Sequence, residues 1–117
     1  MTLDGSWTAI IAELNGQNID EEFLSFITLT ISKDQCEIHL GGNTDKGSIK
    51  FVPYVVPMAF DFTCIEGTNK DKVIKAIYKI SGGFLIVCFN VAGGERPKTF
   101  VSTAENKYSV VRYKRVE

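Results

Sequence analysis

Phe26-Ile27-Thr28-Leu29-Thr30-Ile31-Ser32 carries the cleanest alternation in the chain. Successive side chains of a strand point to opposite faces. Ile27, Leu29 and Ile31 therefore face a core, while Thr28, Thr30 and Ser32 face water. A sheet with one wet face is antiparallel, because parallel sheets are covered on both sides. The alternation continues after the Lys33-Asp34 turn. Residues 35–40 place Cys36, Ile38 and Leu40 inward, with Glu37 and His39 outward. After a loop at 41–46, residues 47–52 turn Ile49 and Phe51 inward. Residues 58–65 set Met58, Phe60, Phe62 and Cys64 against Asp61 and Thr63. Residues 72–80 set Ile74, Ala76, Tyr78 and Ile80 against Lys75 and Lys79.

Three stretches depart from this pattern. Pro53-Tyr54-Val55-Val56-Pro57 is a linker, since two prolines cannot complete a ladder. Residues 84–90 read Phe-Leu-Ile-Val-Cys-Phe-Asn, apolar without alternation, so both faces of that strand need covering. Upstream, residues 6–14 form a first strand with Trp7, Ala9, Ile11 and Glu13 on one face. An Asn15–Asn18 turn and one helical turn over 20–25 follow, with Asp20 as N-cap. A loop from Val91 leads to a last strand at 108–115. Eight short strands punctuated by turns mean a sandwich or a barrel. Hairpin-short connections favour an all-β, eight-stranded antiparallel up-and-down barrel. The last strand then closes onto the first, leaving no exposed edge, and one short helical turn follows the first strand.

Composition narrows the class. At 117 residues the expectation is one domain, and the net charge of −1 is spread without a basic face, which argues against nucleic acid. No apolar run reaches the roughly 20 residues of a membrane helix, so no membrane partner is expected. Met1-Thr2-Leu3-Asp4 shows no leader pattern, and the expected location is cytoplasmic. Cys36, Cys64 and Cys88 are odd in number and lie in no ligand spacing; they read as small buried hydrophobes. The lone His39 beside Glu37 has no second ligand spaced for zinc. No metal, cofactor or catalytic constellation is expected, and the chain reads as a non-enzyme.

Gly5-Ser6-Trp7 resembles the Gly-x-Trp at the first strand of lipocalins, avidins and fatty-acid-binding proteins. More specifically, the chain is similar to a family of small bacterial lipocalin-like domains. The matching stretches are Leu3–Trp7, Pro57 with Phe60–Thr63 and Glu66-Gly67, Ile77-Tyr78, Leu85 through Cys88-Phe89, Gly93-Gly94-Glu95-Arg96-Pro97, and Lys114-Arg115. The resemblance implies an eight-stranded lipocalin-like barrel and no particular activity. Larger lipocalins also pack a late basic residue over the Trp, which implies a clamp between Trp7 and Arg115.

Up-and-down topology sorts the connections to two ends. The end with Trp7, Lys33-Asp34, the proline linker, Ser81-Gly82-Gly83 and Arg115 reads as closed. The other, with the longer Gly- and Asn-rich loops, reads as the mouth. Glu13 on the inward face and Arg96 on the last loop are expected at that mouth as a ligand site. Tyr78, Phe89 and Tyr113 would line the barrel below. The alternative is that Glu13 and Arg96 pair with each other, or with backbone, and pin the loop. A competing class is an interaction module with a side-chain-filled barrel. There Phe84, Ile86 and Cys88 point out with Ile77 as an apolar patch that buries in a homodimer. The proline linker or the tail could instead cover that patch. The leading expectation is a binding protein for a small apolar or amphipathic ligand at the open end.

Overall fold

The computed structural model describes residues 3–40 and 42–116. The start at Met1-Thr2, on which the expected lack of a leader partly rests, lies outside them, as do Gly41 and Glu117. The strands are β1 (Gly5–Leu14), β2 (Gln17–Asn18), β3 (Thr28–Ser32), β4 (Gln35–Leu40), β5 (Asn43–Val52), β6 (Met58–Gly67), β7 (Val73–Ser81), β8 (Phe84–Asn90) and β9 (Ser109–Arg115). One short helix, α1 (Glu21–Leu24), follows β2. Every pairing is antiparallel between chain neighbours from β3 to β9, and β1 pairs with both β3 and β9. The result is a closed eight-stranded antiparallel barrel, with two-residue β2 folded back on the end of β1.

Two irregularities set which side chains face inward. On β1, Ala9 pairs with Tyr113 but Ile11 pairs with Arg112, so Ile10 is an extra residue. Such a bulge reverses the faces that follow. Ala12 is buried opposite Val111, while Ile11 is exposed and Glu13 lies opposite Val110 on the outer face. The expected run of Trp7, Ala9, Ile11 and Glu13 on one face therefore ends at Ala9. On β6, Gly47 pairs with Cys64 and Lys46 with Glu66, which makes Ile65 extra. Cys64 and Asp45 are then both buried. The loop expected at 41–46 is mostly strand, since β5 begins at Asn43.

The main core runs through the barrel: Trp7, Leu29, Ile31, Phe60, Phe62, Leu85, Val87, Phe89, Val111 and Tyr113 are all essentially inaccessible. Phe60 is its aromatic hub, with ring centroids 5.8 Å from Tyr78, 6.0 Å from Phe51 and 6.1 Å from Phe89. A second, smaller core lies on the outer face of β6–β8. There Ala59, Ile77 and Cys88 are buried against Val52, Phe100, Tyr108 and Val110. The long β8–β9 connection crosses this face. That explains why β8 lacks alternation: it is covered on both sides.

Closure is marked at the base. The Arg115 guanidinium lies 4.2 Å from the Trp7 ring centroid, and the two residues are cross-strand partners. Arg115 Nη1 also donates to Asp4 O, while Trp7 Nε1 donates to Leu3 O at 3.0 Å. Gly5 has φ +130°, and a Cβ there would sit 2.6 Å from Arg115 Nη1. Glycine is what lets the guanidinium lie across the start of β1.

Candidate functional site

The expected site residues do not converge at the mouth. Glu13 faces outward beyond the β1 bulge. Arg96 lies on the outer side of β6 and β7, not beside it. Its Nη1 donates to Phe60 O (3.1 Å) and Ala76 O (3.0 Å), and its Nη2 donates to Asp61 Oδ1 at 2.6 Å. This is the loop-pinning role, with backbone and Asp61 as partners in place of Glu13. Phe89 and Tyr113 are buried within the packed core, and Tyr78 is half-buried in the aromatic cluster. The Tyr113 hydroxyl is buried and has no hydrogen-bond partner. Burial raises its proton affinity, with the Cys36 thiol as a lesser contributor. These three aromatics build the core and do not line an open cavity.

The expected exposed patch is also corrected. Ile77, Ile86 and Cys88 are buried within the monomer, and Phe84 is half-buried with Arg112 over its ring at 5.9 Å. What covers Ile77 and Cys88 is mainly the 91–108 segment, not the proline linker alone or the tail. That segment is tied down by its own polar contacts. Asn90 Nδ2 donates to Glu95 O, and the Asn106 Oδ1 accepts from Thr103 N and Tyr108 N. The Ser102 hydroxyl donates to Tyr108 O and accepts from Gly16 N, both at 2.7 Å.

The carboxylate that does turn inward near the mouth is Asp45. Its Oδ1 accepts from Asn69 N at 2.8 Å and from the Cys64 thiol at 3.4 Å, and its Oδ2 accepts from Asn69 Nδ2 at 2.7 Å. These contacts hold the β6–β7 turn down. The alternation missed Asp45 because its stretch reads as a polar loop; the β6 bulge is what aligns it. Burial first, then the Asp45 carboxylate, raises the Cys64 pKa.

At the mouth itself two recesses meet. One, of about 320 Å³, is apolar and is bounded by Leu14, Ile19, Phe23, Phe26, Ile27 and Gly42. Leu14 comes from the end of β1; Ile19, Phe23 and Phe26 come from the α1 segment that sits over the barrel end. The other, of about 430 Å³, shares Phe26 and Gly42 and is bounded by Ser25, Thr28, His39, Asn43 and Thr44. Phe26 stands between them with 71% of its surface exposed. On the second recess, His39 Nδ1 lies 3.1 Å from Thr44 Oγ1, and His39 Nε2 lies 3.1 Å from Oε1 of Glu37 behind it. Carboxylate, imidazole and hydroxyl are thus linked in one chain. With Nε2 protonated toward Glu37, Nδ1 accepts from the Thr44 hydroxyl. This fixes the ring and leaves Ser25, Thr28 and Asn43 to hydrogen-bond a bound polar group. The alternation placed His39 on the outward face beside Glu37 and gave it no role. The signal was the i, i+2 spacing of Glu37 and His39 on one strand face, but Thr44 joins them only through the β4–β5 pairing.

No group of three or more His, Cys, Asp or Glu side chains is placed to hold a metal ion among the described residues. No helix among them is long and apolar enough to cross a membrane. No protein-family model matches the chain, and no curated protein matches its sequence.

Proposed function

We propose that this chain is a non-enzymatic binding protein that takes a small amphipathic ligand at the open end of a lipocalin-like barrel. The observation that carries the reading is the junction at Phe26: an apolar recess on one side and, on the other, a recess bordered by the hydrogen-bonding side chains of Ser25, Thr28, His39, Asn43 and Thr44. Small-molecule sites have this character, a mostly apolar wall with a few placed polar groups. The ligand's apolar part lies against Leu14, Ile19 and Phe23, and its polar end meets Ser25, Thr28 and Asn43 beside the His39–Thr44 pair. The site is a rim site, since the barrel interior is occupied by the protein's own side chains, as eight-stranded barrels allow. The lipocalin-like assignment and a cytoplasmic location belong to this same reading.

The test is native mass spectrometry of protein purified without added ligand, followed by titration with the amphipathic fluorophore 1-anilinonaphthalene-8-sulfonate. Saturable binding that Phe26→Asp abolishes and His39→Ala weakens supports the site. A titration unaffected by Phe26→Asp overturns it, as does a co-purified compound whose binding survives that substitution.

A further inference from the structure

The two ends of the barrel carry complementary features, and the geometry points to head-to-tail association of copies of this chain. The proline linker of one copy enters the mouth recess of the next. The inference rests on the reading of that recess as a binding site.

The observations lie at opposite ends. At the base, Tyr54 and Val56 have relative exposures of 103% and 99%, and Phe51, Val55 and Met58 beside them are also exposed. Five apolar side chains thus protrude within eight residues of chain. Tyr54 adopts φ 61°, which only a few non-glycine residues do, and prolines flank the tip on both sides. A tip held in one shape loses little conformational freedom on docking. At the mouth, the apolar recess beside exposed Phe23 and Phe26 has room for one or two side chains of that size.

Charge supports the same pairing. Lys98 bounds a groove with Val55 and Val56, and Lys50 and Lys79 are exposed on the neighbouring strands β5 and β7. At the mouth, Asp20, Glu21 and Glu22 are all exposed on the segment that carries Phe23. The net charge of −1 hides this local contrast between lysines beside the linker and carboxylates on the α1 segment. Complementary charge orients an encounter and disfavours like ends meeting. A contact between two different surfaces is heterologous, so it propagates as an open chain unless the rotation closes a ring.

Complementation tests this directly. The base variant is Tyr54→Asp with Val56→Asp; the mouth variant is Phe23→Asp with Phe26→Asp. All four positions are exposed, and circular dichroism establishes that each variant is folded. In sedimentation velocity, wild type shows species that grow past a dimer with concentration and shrink when salt is raised. Each variant alone is a monomer. Mixed in equal amounts, they form a dimer and nothing larger, because one intact base meets one intact mouth. A wild type that stays monomeric at millimolar concentration overturns the inference. So does a variant that dimerises alone, which means a two-fold contact elsewhere, or a mixture that stays monomeric. If the linker instead serves a membrane, monomeric wild type co-sediments with phosphatidylserine vesicles and the base variant does not, and that too overturns it. The base variant keeps its own mouth open, so fluorophore binding to it judges the ligand reading separately. Binding there without assembly rejects only this inference; assembly without binding rejects only the ligand.

Discussion

Cys36, Cys64 and Cys88 are free thiols, all buried. Burial pushes Cys36 and Cys88 up to about 12 from an ordinary 9.0, with the Glu37 carboxylate adding to the rise at Cys36. Below pH 9 folded and unfolded chains both hold these protons, and stability does not depend on them. Between 9 and 12 only the unfolded chain releases them. It then binds fewer protons than the folded chain, so stability falls as pH rises. These thiols therefore contribute nothing pH-dependent through neutral pH, and above 9 the unfolding free energy falls by about 1.4 kcal/mol per group per pH unit, lowering the urea midpoint with it; Cys88→Ala makes the drop shallower. A midpoint unchanged through that alkaline range contradicts the assignment. Trp7, only 2% exposed, is the other decisive residue. Trp7→Ala costs about 3–5 kcal/mol. Arg115→Ala costs about 0.5–1 kcal/mol by loss of the cation–π contact. An unchanged melting temperature for Arg115→Ala would show that the guanidinium contributes nothing to closure. Tyr113→Phe removes a buried hydroxyl that has no partner, so its melting temperature stays level or rises.

The element that most changes the molecule is the 91–108 connection. It gives β8 its second buried face and replaces an expected dimer interface with an internal one. Arg96 is its anchor, with three acceptors on β6 and β7. Arg96→Met removes all three contacts and frees the segment from the sheet. The loss is about 1.5–3 kcal/mol, the range for hydrogen bonds to charged groups. The local consequence is more telling than the global one. Cys88 sits under this segment, whereas Cys36 sits inside the barrel. Thiol exchange at neutral pH should therefore speed up at Cys88 and stay unchanged at Cys36. Equal acceleration at both sites would mean that Arg96 supports the whole barrel and not this segment. The β1 bulge works at the same scale. It leaves Ile10 unpaired and in return keeps the Glu13 carboxylate out of the apolar interior, where an unpaired charge costs several kcal/mol.

For the whole molecule, closure joins the two ends of the chain. Seven residue pairs align β1 with β9, from Trp7–Arg115 to Leu14–Ser109. Without β9 the barrel has two open edges, at β1 and β8, each a row of unpaired backbone groups. Truncation after Lys107 is expected to abolish cooperative unfolding and to give light-scattering aggregates. A truncated chain that melts cooperatively as a monomer would show that the sheet tolerates an open edge. Closure also fixes which connections share an end. The apolar mouth recess, the acidic α1 segment and the protruding linker with the lysines beside it acquire a direction only once the barrel is formed.

Alternation marked the antiparallel sheet and most of its strands, and hairpin-short connections with the cost of an open edge pointed to closure of the last strand on the first. The period of two is a local property of the chain, and each alternating strand states it independently, whereas β8 does not alternate. The Trp7–Arg115 pairing was expected from the Gly-x-Trp resemblance, and antiparallel closure, which puts the end of β9 at the start of β1, is what brings the two together. The candidate site was not legible in this way. Glu13 left the interior because a single bulged residue at Ile10 reverses every face after it, and the sequence carries no mark of the bulge. Asp45 entered the interior for the same reason on β6. Arg96 and the residues expected to form an outer patch were decided by where a long connection lies, which periodicity does not encode. The recess at Phe26 and the Glu37–His39–Thr44 chain exist only where separate strands are brought side by side. Tertiary packing decided them, because surface shape depends on which elements meet and not on the pattern within any one of them.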